Sequence, residues 1–325
     1  MCEQAGKRLE FVLLVYLFLI QGGFTRMVQT KSKLKVAIIG SGNIGTDLLI
    51  KVIRSPFLEC SSFLGRNLSS QGMVKAHSLG ANVSAEGINY LIKNPSCCDL
   101  VFDATSAKAH LEHAPILLEL NKRVIDLTPA KVGLMCVPSV NLEDSLAEFN
   151  VNMVTCGGQA SVPVAHAIGK SQTNVDYIEV VSSIASRSAG PATRQNLDEY
   201  IKTTENGLKE FSGAARTKAI LNLNPAEPCI DMKATIFAKV ESPDIPALVS
   251  ALAPLVENIR RYVPGYEIIL GPIVENDRIV VTARVRGLGD YLPSYAGNLD
   301  IINCAAIAMA EEYSKIALNT EAKAI

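Results

Sequence analysis

Apolar positions along this chain keep two different rhythms, and the change from one to the other falls near residue 156. From residue 34 onward, short apolar runs at 34–39, 60–64, 100–103 and 123–127 read as buried strands, the first ending at Gly40. Between them, residues 43–54, 71–79, 87–93 and 107–120 predict helices. In the first of these, Ile44, Leu48, Leu49, Val52 and Ile53 recur at helical spacing. Strands alternating with helices predict a parallel sheet covered on both faces. A strand at 151–155 closes that half. Beyond it, β-prone segments at 177–184, 235–240 and 278–285 alternate with amphipathic helices at 195–211 and 246–262, which predicts an α+β unit with a mixed or antiparallel sheet. A final Ala- and Ile-rich helix, 299–318, is placed to return and pack on the first unit.

Composition narrows the function classes. The 325 residues, 48% of them hydrophobic, suffice for two cores. With 31 basic against 32 acidic side chains, the net charge of -1 gives no electrostatic reason to expect nucleic acid as a partner. Eight cysteines, at positions 2, 60, 97, 98, 136, 156, 229 and 304, are too dilute for a disulfide scaffold. They also lack the paired spacings that hold zinc, so no metal is expected. Reduced thiols fit a cytoplasmic enzyme. Residues 1–32 stand apart, because Lys7 and Arg8 precede an apolar run from Phe11 to Ile20 with the length of a signal-peptide core. Two readings stand side by side there: a cleaved or anchoring leader, or a working start at Met27, which opens directly into the first strand.

The most informative turn joins the first strand to the first helix. Gly40, Ser41, Gly42, Asn43, Ile44 and Gly45 place a three-glycine pattern between a predicted strand and a predicted helix, the context that makes it a dinucleotide signature. Gly40 permits the tight turn, Gly42 lets the backbone approach a pyrophosphate, and Gly45 lets helix and strand come close. The helix start then offers free amides to the phosphates. The second strand ends Leu64, Gly65, Arg66, Asn67, without the acid that binds the ribose hydroxyls of NAD, so NADP is not excluded. Arg66 reads equally as a partner for adenine or a 2′-phosphate and as a solvated arginine.

Cys156 follows a predicted strand and opens a helix-compatible run from Ala160 to Ile168. Aligned amides at a helix start favour a thiolate, and Gly157 and Gly158 leave room for a substrate. Spacing alone leaves Cys156 open between nucleophile and core thiol, and the other cysteines read as core filler. No histidine pairs with it by sequence. His166 lies ten residues further along the same predicted helix, while His77, His110 and His113 read as surface or capping residues.

Seven motifs together resemble one family: 35–47 (KVAIIGSGNIGTD), 101–106 (VFDATS), 124–130 (VIDLTPA), 151–160 (VNMVTCGGQA), 224–228 (NPAEP), 262–266 (YVPGY) and 291–300 (YLPSYAGNLD). They resemble acetaldehyde dehydrogenase (acylating), the enzyme that works beside 4-hydroxy-2-oxovalerate aldolase in aromatic catabolism, over roughly residues 33–315. The resemblance implies a Rossmann-type doubly wound nucleotide domain at 33–155, with the helix at 298–318 packed back on it. It also implies an α+β catalytic and dimerisation domain at 156–290. Further implications are an acyl-enzyme thioester on Cys156, NAD as cofactor, CoA as co-substrate, a short-chain aldehyde as substrate and a homodimer or larger assembly. Cofactor contacts are implied for Ser41, Gly42, Asn43 and Ile44, for the segment Ser188, Ala189, Gly190, Pro191, Ala192, Thr193, Arg194, Gln195 and Asn196, and for Asn298. One departure stands out: six residues after the proline of NPAEP the family carries an aspartate, where this chain has Ala234, with Asp231 three residues earlier. The rival readings are a phosphorylating semialdehyde dehydrogenase, in which phosphate ends the reaction, and a non-catalytic NAD-binding subunit of an aldolase complex.

Overall fold

The computed structural model describes residues 33–321; the leader, 1–32, lies outside the described residues. The first half runs β1 (Leu34–Ile39), α1 (Asn43–Arg54), β2 (Leu58–Leu64), α2 (Gln71–Ser78), β3 (Val83–Ser84), α3 (Ile88–Lys93), β4 (Leu100–Asp103), α4 (Ala107–Glu119), β5 (Arg123–Asp126), β6 (Leu134–Met135), α5 (Pro138–Leu146) and β7 (Asn150–Asn152). Its strands form one parallel sheet in the order β3-β2-β1-β4-β5-β7-β6. Strand residues alternate between the sheet's two faces. Val36, Ile38 and Phe102 pack on one side with Leu48, Leu49 and Val52 of α1, whereas Ala37, Ile39 and Val101 pack on the other with Leu91 of α3 and Leu117 of α4. That alternation is why these strands read as continuous apolar runs.

The chain then enters α6 (Cys156–Ser171), β8 (Val175–Ala185), a single 3₁₀ turn at Ser186–Ser188, α7 (Pro191–Gln195), α8 (Leu197–Ser212), β9 (Arg216–Asn224), β10 (Met232–Val240), α9 (Ile245–Tyr262), β11 (Tyr266–Glu275), β12 (Arg278–Val285) and α10 (Gly297–Glu321). The second sheet, β11-β12-β10-β8-β9, is mixed: β8 and β9 run parallel and the other pairs antiparallel. One core joins α6 and α9 to the inner face of this sheet, through Val162, Ile168, Leu252 and Ile259 against Ile236, Val281 and Val285. From α10, Ile302, Ala306 and Met309 enter the core of the parallel sheet beside α1. The described part of the chain forms one compact unit.

Several boundaries differ from the apolar pattern. The strand expected at 151–155 stops at Asn152, because Val154 adopts φ +58° and turns the chain. The helix expected at 195–211 is two helices meeting at Asn196. β9 and β11 were not anticipated. β11 carries Gly271 and Pro272, residues that a sheet tolerates at an edge, and the edge is where the strand sits. β9, the other edge, fully buries only Ala219, and its apolar stretch at 219–221 is too short to stand out from the polar residues on either side.

Candidate active site

β1 aims the glycine turn at the point where strand order reverses, between β1 and β4, which is where doubly wound sheets bind ligands. Gly40 has φ +116°, and a Cβ there would lie 2.4 Å from the Ala104 carbonyl oxygen. A Cβ on Gly45 would come within 1.8 Å of Gly40 O, so the glycine allows α1 to close on the turn. Gly42 caps α1, and a Cβ on it would meet open space. No acidic side chain occupies the first turn of α1, so its amides stay available to an anion.

A cleft of about 690 Å³, within the range of small-molecule sites, runs from this turn to Cys156. Gly40, Ser41, Gly42, Asn43 and Ile44 line one end, and Gly45 is buried beneath it. The implied cofactor segment divides. Ser188, Gly190, Pro191, Thr193, Gln195 and Asn196 line the cleft, whereas Ala189 belongs to the core. Arg194 turns back instead, donating from Nε to Ala189 O (3.1 Å) and from a terminal nitrogen to Ser186 O (3.0 Å), so it braces the segment. Ala192 lies in α7. Asn298 lines the cleft, and its Oδ1 is buried without a partner among the described residues, as is Thr128 Oγ1. These unpaired polar atoms, the free amides of α1 and the open space at Gly42 fit a dinucleotide. Exposed Arg66 sits on the cleft wall, and so does Glu86, which pairs with Lys93.

The start of α10, which carries Asn298, is held by an ionic clamp. Lys51 of α1 bonds Asp290 and Asp300 at 2.7 Å each and Asp47 at 3.1 Å; Lys51, Asp47 and Asp300 are buried and Asp290 is half-buried. The three carboxylates lie close enough to suggest a metal site, but the Lys51 ammonium is the cation they surround. Asn303 adds a bond to Asp47 Oδ2 (2.7 Å), which ties α10 to the helix of the glycine turn.

Cys156 is the first residue of α6, half-buried at the other end of the cleft. The αL turn at Val154, costly for a β-branched residue, delivers the chain to Thr155, whose Oγ1 accepts from Gly158 N (2.8 Å). Gln159 then locks the turn from behind by donating to Cys136 O (2.8 Å) and Met153 O (2.9 Å). Sγ lies 3.8 Å from the Tyr200 hydroxyl. The thiolate expectation meets an opposing force: burial pushes the thiol up to about 11, against hydrogen bonding from Tyr200 and the amides of Gly157 and Cys156. The helix-start amides favour the anion, but burial outweighs them. Ala234 is buried in β10 opposite Ser182, while Asp231 pairs with Arg286 at 3.4 Å.

The histidine expectation is corrected. His77 is exposed and His166 bonds Phe211 O (3.0 Å), but His110 is fully buried and His113 lines the cleft. Both donate to Asp103 Oδ2, at 2.9 and 2.8 Å. Burial alone would raise Asp103, yet the two imidazoles outweigh it and hold the carboxylate well below the ordinary range. Burial pushes Asp126 up to about 6. Burial would likewise lower His110, but Asp103 and Asp126 raise it instead. Asp103 and Asp126 close β4 and β5, and bonds to Thr105 N (3.1 Å) and Thr128 N (2.7 Å) fix the two loops that form the cleft floor. Spacing could have revealed this only through the shared motif form, an acid followed two residues later by threonine.

Comparison with known proteins agrees with this fold. Residues 35–148 match the semialdehyde dehydrogenase NAD-binding domain, and residues 156–293 match the prokaryotic acetaldehyde dehydrogenase dimerisation domain. An acetaldehyde dehydrogenase of Spirochaeta aurantia is 65% identical over 284 residues, 87% of this chain and 96% of that protein. One from Pectobacterium atrosepticum is 58% identical over 292 residues, 89% and 99% of the two chains. This chain belongs to the acetaldehyde dehydrogenase family. The motif resemblance is thus family membership, and the parallel-sheet half is that family's NAD-binding fold. Among solved structures, aspartate semialdehyde dehydrogenase II of Vibrio cholerae, complexed with ASA, superposes with a TM-score of 0.58 at 15% identity, covering 86% of this chain and 98% of that one. Aspartate semialdehyde dehydrogenase of Candida albicans, with NADP, gives 0.58 at 13% identity, covering 86% and 100%. At such identities the likeness speaks for the fold alone.

Proposed function

We propose that the chain converts a short aldehyde, NAD⁺ and CoA into acyl-CoA, NADH and a proton. The observation that carries this reading is that one cleft joins the dinucleotide turn of α1 to a cysteine at the start of α6. Cys156, as thiolate, adds through Sγ to the aldehyde carbon, and the amides at the start of α6 face the oxygen that gains charge. A bound nicotinamide would supply the hydride acceptor. The carbon keeps its bond to Sγ, leaving a thioester on Cys156. The CoA thiolate then attacks the acyl carbon and Cys156 departs as thiolate, ready for another turnover. Ser41, Asn43, Ser188 and Asn298 orient the dinucleotide from the cleft walls.

The same reading takes the assembly to be a homodimer, supported by the dimerisation-domain match and by exposed Ile269, Leu270, Ile273 and Val274 on β11. The seven described cysteines are free, which fits the cytosol, and no helix among the described residues is long and apolar enough to cross a membrane. Docking to a hydroxy-oxoacid aldolase rests on the resemblance alone. Turnover of acetaldehyde with NAD⁺ or NADP⁺, and with CoA or phosphate as acceptor, is the test. CoA-dependent reduction of NAD⁺ is expected, and phosphate-dependent turnover would overturn it.

A further inference from the structure

Tyr200 takes no part in the chemistry derived so far, yet it is the side chain closest to it. It projects from the first turn of α8, is almost fully buried, lines the cleft, and brings its hydroxyl 3.8 Å from Cys156 Sγ. Its place is built rather than incidental. A Cβ on Gly157 would come within 2.1 Å of Tyr200 Oη and 2.9 Å of Ser182 Oγ, so the residue after the nucleophile must lack a side chain for the phenol to reach the sulfur. Thr204 Oγ1 donates to Tyr200 O (2.7 Å) and also bonds Thr155 Oγ1 (2.7 Å), which ties the backbone of Tyr200 to the cap of the helix that starts with Cys156. Ser182 Oγ is buried and free of other partners among the described residues, so it is available to the phenol oxygen. Opposite Ser182, Ala234 contributes only a methyl group.

We propose that Tyr200 is a second catalytic residue, whose hydroxyl accepts from the resting Cys156 thiol and donates to its thiolate. The assignment rests on Cys156 being the nucleophile. The thiol proton leaves through the open cleft to solvent base; Tyr200 keeps its own proton and only reverses the direction of one hydrogen bond. Burial, joined by the nearby thiolate charge, raises the phenol well above its ordinary value, so it stays a donor at working pH. The groups acting on Sγ are Tyr200 and the amides of Gly157 and Cys156, with no histidine or carboxylate of the described residues among them. Tyr200 is therefore the side chain through which this site sets the reactivity of its thiol, and it does so with a neutral donor where an imidazole or carboxylate would serve as a base.

The test is the pH profile of iodoacetamide alkylation at Cys156 in the ligand-free enzyme, followed on the Cys156 peptide by mass spectrometry. Tyr200→Phe is expected to slow alkylation near neutral pH about tenfold and to move the profile to higher pH, since one hydrogen bond to an anion is lost. Acyl-CoA turnover falls in parallel, through kcat more than through KM for the aldehyde. A fluorinated tyrosine placed at position 200, with a more acidic phenol, is expected to move the profile the opposite way, and it keeps the packing should the phenylalanine variant fold poorly. Profiles of both variants within twofold of the parent would overturn the assignment while leaving the thiol essential. If Cys156→Ser instead retains acyl-CoA formation, the proposed function fails and the Tyr200 role falls with it.

Discussion

Gly42 and Gly45 sit three residues apart in one turn, and a side chain at each has opposite consequences. At Gly45 the added carbon meets the Gly40 carbonyl at 1.8 Å, so Gly45→Val is expected to destabilise the fold by about 1–3 kcal/mol or more, read as a lowered Tm. At Gly42 nothing lies within 4 Å, so Gly42→Val is expected to leave stability within about 1 kcal/mol of the parent while NAD⁺ affinity falls at least about tenfold in titration calorimetry. Unchanged affinity would remove the phosphates from this turn. These glycines were legible in the sequence because each answers a demand of backbone geometry at fixed spacing. Tyr200 was not legible, because its proximity to Cys156 depends on how α8 packs across the cap of α6.

The network at the ends of β4 and β5 is a matter of elements, since it fixes two loops at once. Asp103 is held below its ordinary 3.8, so its contribution to stability is present above pH 3.8 and lost as pH falls through its depressed value. His110 is raised above 6.5, so its contribution is present below pH 6.5 and lost as pH rises through its raised value. The cost of His110→Gln, on the order of 3–5 kcal/mol for one partner of a buried pair, is therefore expected to be larger at about pH 6 than at about pH 9 in urea unfolding. Equal costs at both would contradict a charged pair. Strands and helices of the first half were readable from periodicity because both faces of the sheet are buried. His110 was misread because helical spacing locates a face but cannot show that Asp103 and Asp126 wait beneath it. β11 escaped because Gly271 and Pro272 interrupt its apolar run.

At the scale of the molecule, two sheets share the work: the parallel one presents the glycine turn, and the mixed one supports α6 and α8 behind Cys156. The clamp of Lys51 on Asp290 and Asp300 holds the start of α10 against α1, which keeps Asn298 in the cleft. That closure joins residues about 250 positions apart in sequence, beyond the reach of local pattern. The proposed dimer would cover the exposed apolar face of β11. Aspartate at both Leu270 and Val274, which are 44% and 49% exposed, is expected to shift a dimer to monomer in light scattering. A dimer that persists would place the interface elsewhere. Cys156 is proposed to carry the acyl group between aldehyde and CoA. The most direct test is mass spectrometry, on intact and on digested protein, of enzyme mixed with acetaldehyde and NAD⁺ in the absence of CoA. One acetyl group is expected on the Cys156 peptide, discharged within seconds when CoA is added and absent from Cys156→Ser; acyl-CoA formed at full rate with no adduct on Cys156 would contradict it.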